Sequence, residues 1–308
     1  MNKIKLFETI KIDAKKNYSI YLMMLPVLAF YILFCYKPMF GLIIAFKDYK
    51  PSLGFFGSEW VGFEHFIDFF SSYYFKRLIT NTLWISFCSI AVGFPAPIIL
   101  ALLVNELRSA RFAKLTQTIT YIPHFISLVV ICGLVTTFTN DTGFISRIVA
   151  FFAGGQPQTL LNNASNFVPI YVIMGIWKSI GWGSIIYLSS LTSIDPSLYE
   201  AAVIDGAGRF KRLLHITLPG IAPTIIIMLI LRVGQVMSVG FEEIILLQNE
   251  LTYSTSDVIS SFVFRKGILE AGNESYTTAI GFFNSVINLI IIVSANAISS
   301  RVSETSLW

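Results

Sequence analysis

What most limits the folds open to this chain is a succession of apolar runs, each long enough to cross a bilayer. They fall at about residues 18–46, 79–104, 115–138, 167–191, 221–247 and 276–298. About 20 mostly apolar residues in a helix span roughly 30 Å of hydrocarbon. In hydrocarbon every backbone N–H and C=O must find a partner within the protein, so each run is read as a helix. Composition agrees: 55% of the 308 residues are hydrophobic and 13% are charged, about half the charge fraction of a soluble domain. The expected fold class is an all-α membrane protein with six transmembrane helices. The first run is not followed by a small-residue cleavage site, so it is read as a retained span.

The chain then divides into a cytoplasmic tail (1–17), a first span with an aromatic outer loop (18–75), a block of five further spans (76–300) and a short cytoplasmic tail (301–308). The outer loop carries Phe55, Phe56, Trp60, Phe63, Phe66, Phe69, Phe70, Tyr73 and Tyr74, rings suited to helices lying at a membrane interface. Pro95 and Pro97 break the second run, and Pro123 and His124 sit in the third. Such breaks are tolerated where neighbouring helices or water satisfy the freed carbonyls.

Six spans place both termini on one side. With the amino terminus inside, the inner segments carry twelve Lys and Arg and the longer outer loops seven. That bias favours a cytoplasmic position for both ends of a multi-pass plasma-membrane protein.

Several function classes are excluded or weakened. Cys35, Cys88 and Cys132 lie in apolar runs without motif spacing, so neither a disulfide framework nor a metal site is expected. His65, His124 and His215 are scattered. The net charge of +4 follows from topology and does not indicate nucleic-acid binding. No Gly-x-x-x-x-Gly-Lys-Ser/Thr loop is present, so nucleotide hydrolysis would belong to a partner. No nucleophile–base spacing is recognisable, and no inverted repeat of the kind typical of secondary carriers stands out.

One polar stretch, 195–219, interrupts this apolar pattern between the fourth and fifth runs. Asp195 can cap a helix with Pro196 at its first position. Leu198, Ala201, Ala202 and Asp205 then share one face, and the two alanines flatten it. Gly206 and Gly208 are expected to supply the dihedral freedom of a sharp turn. A second amphipathic turn follows, with Phe210, Leu213 and Leu214 opposite Arg209, Lys211 and Arg212, and Pro219 and Pro223 are expected to open the fifth span.

Glu200-Ala201-Ala202, Asp205-Gly206-Ala207-Gly208 and Ile216-Thr217-Leu218-Pro219, ungapped and placed between two spans, resemble the EAA loop of permease subunits of binding-protein-dependent ABC importers. The resemblance implies the type I ABC importer permease fold, with Glu200, Ala201, Ala202, Asp205, Gly206 and Gly208 coupling it to a separate cytoplasmic ATPase. It also implies partners: a second homologous permease, two ATPase subunits that bind ATP and Mg, and an extracellular solute-binding lipoprotein. This chain would itself hold no cofactor. Asp205 is read as holding the turn at Gly206 in preference to a direct contact. Tyr36-Lys37-Pro38-Met39 and Ala45-Phe46-Lys47-Asp48-Tyr49 resemble the carbohydrate-uptake branch, specifically permeases for oligosaccharides and polysaccharide fragments in Gram-positive bacteria. The alternatives are a permease for a non-sugar solute and a non-transporting sensory or scaffold protein.

Polar and aromatic groups inside a span are costly unless they face a path or a partner helix. Trp177, Trp182, Tyr187, Gln235, Asn284 and Asn288 are therefore candidates for the substrate path. The competing reading for each is an interfacial ring or an interhelical bond. Lys178 and Arg232 are read as paired or reaching to the interface.

Overall fold

The computed structural model describes Asp13 and residues 15–270 and 274–302. Lys3, Lys5, Lys11 and most of the polar tail fall outside the described residues. Six helical stretches are long and apolar enough to cross a membrane: Tyr18–Phe46, Tyr73–Asn105, Leu128–Ala153, Ala164–Leu191, Arg209–Val233 and Glu274–Arg301. They are numbered here first to sixth span. A two-residue antiparallel ladder pairs Lys47 with Trp60 and Asp48 with Glu59 just after the first span.

Two runs differ from the sequence expectation. The run at 115–138 is not one helix: Ala110–Tyr121 ends in a 3-10 turn, Ile122–Phe125, and a new helix runs over Leu128–Thr139. Pro123 has no N–H to continue the first helix and pushes its predecessor away from the α region. Ser127 then caps the restart, its hydroxyl accepting from Val130 N at 3.4 Å. The fifth run is displaced in the other direction. The segment Arg209–Arg212 passes through a π-helical stretch, Leu213–Thr217, straight into Leu218–Val233. Pro219 therefore lies inside one continuous helical run, directly after its π-helical stretch, and opens no separate element. The helix stops at Val233, and after a turn a short helix covers Phe241–Leu247.

That second break is supported from the sides. Met237 N donates to Asn288 Oδ1 at 3.0 Å, and Asn288 Nδ2 donates to Ser238 Oγ at 2.7 Å. Ser86 from the second span donates to Val236 O. Side chains of neighbouring spans thus take up backbone groups that the broken helix leaves open, as irregular backbone at membrane depth requires.

The fourth span is central, packed along Pro95–Asn105 of the second and against the fifth. Its Phe167 is fully buried in a core shared with Ile85, Ile131, Ile244 and Val258. The first span is different: from Tyr18 to Met39 it has no buried residue, and only Ala45 near its end is covered.

The loop after the first span is more packed than a purely interfacial reading implies. Its helix Glu64–Ser71 buries Phe66 and Phe69. Phe46, Phe66 and Phe282 of the sixth span meet with ring centroids 5.4 to 6.3 Å apart, within the range of favourable aromatic pairs. Phe56, Phe63 and Tyr73 remain exposed. Lys47 is buried, its ammonium donating to Phe55 O at 2.8 Å and Ser58 O at 3.1 Å. On the same face Asp257, fully buried, accepts from Arg77 at 2.9 Å and Arg265 at 2.7 Å. Burial opposes the charge on Arg265, but the hydrogen bond and charge of Asp257 outweigh it and raise its pKa.

Candidate functional site

Two features stand apart from the packing: the polar loop between the fourth and fifth spans and a cavity between the second, fourth and fifth.

The loop begins with a helix over Pro196–Ile204 that has no buried residue. Asp195 caps it, its carboxylate accepting from Ser197 N at 2.9 Å. That bond and the Ser197 hydroxyl hold the Asp195 pKa below its ordinary value. At the other end Gly206 adopts φ +73°. Gly206 N donates to Val203 O and Ala207 N to Ala202 O, which is the Schellman pattern of a left-handed helix terminus. Gly208 behaves otherwise than expected: at φ −67°, ψ 167° it is extended backbone open to any residue. Only Gly206 uses the freedom expected of both glycines.

Tyr199 Oη lies 3.0 Å from Thr217 Oγ1 and ties the short helix to the root of the fifth span. Glu200, Ala201 and Asp205 face outward, and Leu198, Val203, Ile204 and Phe210 are exposed. The Asp205 carboxylate makes no hydrogen bond among the described residues, and the turn is closed by backbone alone. The loop is thus a projection capped at both ends, and Leu198, Val203, Ile204 and Phe210 stay exposed among the described residues.

The cavity measures about 520 Å³, within the usual range for small-molecule sites. Tyr187 and Gln235 line it, as do Lys178, Arg232 and Glu243. Lys178 Nζ is 3.8 Å from Glu243 Oε1, too far for a hydrogen bond. Arg232 has no carboxylate within 4.0 Å among the described residues. The lining therefore holds two cationic side chains and one carboxylate, a net positive charge inside an apolar body. His124 also lines the cavity and stacks on Trp182, centroids 4.4 Å apart and planes 2° from parallel, while Trp182 itself is outside the lining.

The remaining candidates are placed elsewhere. Trp177 is half exposed and outside the lining. Asn288 holds the break after the fifth span, and Asn284 Oδ1 is buried without a hydrogen-bond partner among the described residues. Tyr171, which reading the sequence did not single out, lines the cavity beside Glu243. Both reach Gly240: a β-carbon there would stand 2.7 Å from Tyr171 Oη and overlap Glu243 Oε2. The signal that could have found the charged group was available, since Lys178, Arg232 and Glu243 are ionisable residues within or at the end of apolar runs.

Residues 93–304 match the family described as "Binding-protein-dependent transport system inner membrane component". The chain is 44% identical to protein LplB of Bacillus subtilis (strain 168) over 96% of its length and 92% of the relative's. It is 43% identical to the polygalacturonan/rhamnogalacturonan transport system permease protein YteP of the same organism, covering 94% of this chain and 90% of that one. Among solved structures, a chain of a bacterial ABC transporter involved in the import of the acidic polysaccharide alginate superposes with a TM-score of 0.88. That chain is 42% identical, with 96% of this chain and 99% of the other covered. A chain of a bacterial alginate ABC transporter solved in complex with an alginate pentasaccharide-bound periplasmic protein also superposes with a TM-score of 0.88, at 42% identity over 96% of this chain and 98% of the other.

Proposed function

We infer that this chain, which belongs to the family of binding-protein-dependent transport system inner membrane components, is a permease subunit of an ABC importer for oligosaccharides. It contributes half of the translocation path, and a second permease supplies the other half. Two separate ATPase subunits bind ATP and Mg at the cytoplasmic face, and an extracellular solute-binding protein delivers cargo. The neighbouring structure that includes a periplasmic binding protein supports the last of these partners.

The single observation that carries the coupling role is the loop helix Pro196–Ile204, capped at both ends and buried nowhere. A helix this well held, with Leu198, Val203 and Ile204 turned outward, suits insertion into a groove of another protein, the helix-in-groove mode of recognition. Closure of the ATPases moves the helix, and Tyr199–Thr217 together with the unbroken run into Leu218–Val233 carries that movement into the fifth span. The two states must differ in affinity for ATP-bound partners, because a ligand that binds both equally shifts nothing.

The cargo class we propose is an acidic oligosaccharide, one bearing uronate carboxylates. The net positive cavity lining supports it, as does the character of the polymers named for two relatives. His124, stacked against Trp182, offers a flat face for a sugar ring. Affinity purification of the chain from its native membrane in mild detergent, followed by mass spectrometry, tests the assembly. Recovery of an ATPase, a second permease and a binding protein supports it; reproducible recovery of the chain alone in several detergents overturns it.

A further inference from the structure

We propose that Glu243 is a built-in stand-in for the cargo's carboxylate. It occupies Lys178 while the cavity is empty and gives way when an acidic sugar arrives, so that Glu243 and Lys178 together set the preference for charged cargo. This rests on the acidic-oligosaccharide reading above and goes beyond it by naming the residue pair that reads the charge.

The geometry points to an exchangeable contact. Lys178 and Glu243 come from different elements, the fourth span and the short helix after the broken fifth span. They approach to 3.8 Å with neither side chain fully buried, and neither makes a hydrogen bond within the described residues. A committed ion pair inside an apolar body closes to about 2.7–2.9 Å and is hydrogen-bonded on its remaining faces. This one does neither: it stays at 3.8 Å, and the ammonium makes no hydrogen bond among the described residues. Arg232 lines the same cavity with no carboxylate within 4.0 Å among the described residues. A uronate entering here would be held by Lys178 through a charge-assisted hydrogen bond and attracted by Arg232.

The displaced Glu243 also has somewhere to go. Its Oε2 and the Tyr171 hydroxyl converge on Gly240, which places a phenolic donor near the carboxylate. Gly240 leaves the room: any β-carbon at that position would overlap the space both groups use. A neutral sugar cannot drive this exchange, because it brings no charge to replace the one Lys178 would lose, and breaking an ion pair without substitution is strongly unfavourable in low dielectric.

The test uses the complete importer in nanodiscs and equilibrium binding of two probes, trigalacturonate and its neutral counterpart galactotriose. The wild type is expected to bind the charged probe at least tenfold more tightly. Lys178→Gln should abolish that preference, and Lys178→Arg should retain it, which separates loss of charge from loss of fold. Glu243→Gln, with the internal competitor removed, should tighten trigalacturonate binding about five- to tenfold. If the wild type prefers the charged probe and Lys178→Gln keeps that preference, the inference falls while the acidic-cargo reading stands. The same holds if Glu243→Gln weakens trigalacturonate binding or leaves it unaltered. If the wild type does not prefer the charged probe, the acidic-cargo reading fails and takes the inference with it.

Discussion

Asp257 shows what one side chain can decide. It is fully buried, and its Oδ2 accepts from both Arg77 and Arg265, while Oδ1 accepts from Ser261 at 3.1 Å. Removing one partner of a buried charge group costs about 3–5 kcal/mol, because the others are left uncompensated. Asp257→Asn is therefore expected to lower thermal stability in detergent strongly; an unchanged melting temperature would count against the triad as a structural tie. Gly206 presents the opposite case, since open space surrounds it and its φ of +73° is the whole constraint. Gly206→Val should strain the turn by roughly 1–2 kcal/mol and reduce cargo-stimulated ATPase turnover without affecting membrane insertion. Gly208→Ala, in extended backbone, should leave turnover nearly intact. Composition suggested equal roles for the two glycines, because a sequence shows where backbone freedom is available but not which residue uses it.

At the level of elements, the loop helix depends on its cap. The folded state holds the Asp195 pKa below its ordinary value, so the cap's contribution is complete above that ordinary value and is lost as pH falls through the lower, folded one. Protection of the Ser197 and Leu198 amides, relative to their intrinsic exchange at each pH, should fall below about pH 4 while the spans stay protected; unchanged protection across this range would show that the cap does not hold the helix. The broken fifth span makes a second test. Asn288→Ala leaves Met237 N–H and the Ser238 hydroxyl without a partner, at a cost of about 1–3 kcal/mol, and should loosen residues 234–240 at the cavity wall. Run lengths and the capped loop were legible because apolar periodicity, Asp-Pro and Gly signals act locally. The restart at Leu128 and the break after Val233 were not, since they depend on Ser127, Asn288 and Ser86 reaching particular backbone atoms. The charged cavity was visible only as isolated residues: Lys178 and Glu243 lie 65 positions apart in the chain, and only the fold brings them together.

For the whole molecule, the decisive quantity is which way it faces. Twelve inner against seven outer Lys and Arg argue for cytoplasmic termini, and the fold sharpens that count. Five of the seven outer cations are committed within the protein: Arg77 and Arg265 to Asp257, Lys50 to Asp48, Lys266 to Glu270, and Lys47 to backbone carbonyls. The cations of the loop at 209–212, by contrast, form no salt bridge among the described residues. The same asymmetry places the loop helix where an ATPase could reach it and the packed aromatic loop where a binding protein could dock. With Cys35, Cys88 and Cys132 replaced by serine, single cysteines at Ser197 and Leu251, both exposed, should behave oppositely toward a membrane-impermeant maleimide. Leu251→Cys should label in intact cells and Ser197→Cys only after permeabilisation. The reverse pattern would put the coupling loop outside, away from ATP, and no assignment of this chain as an ATP-driven importer subunit would survive it.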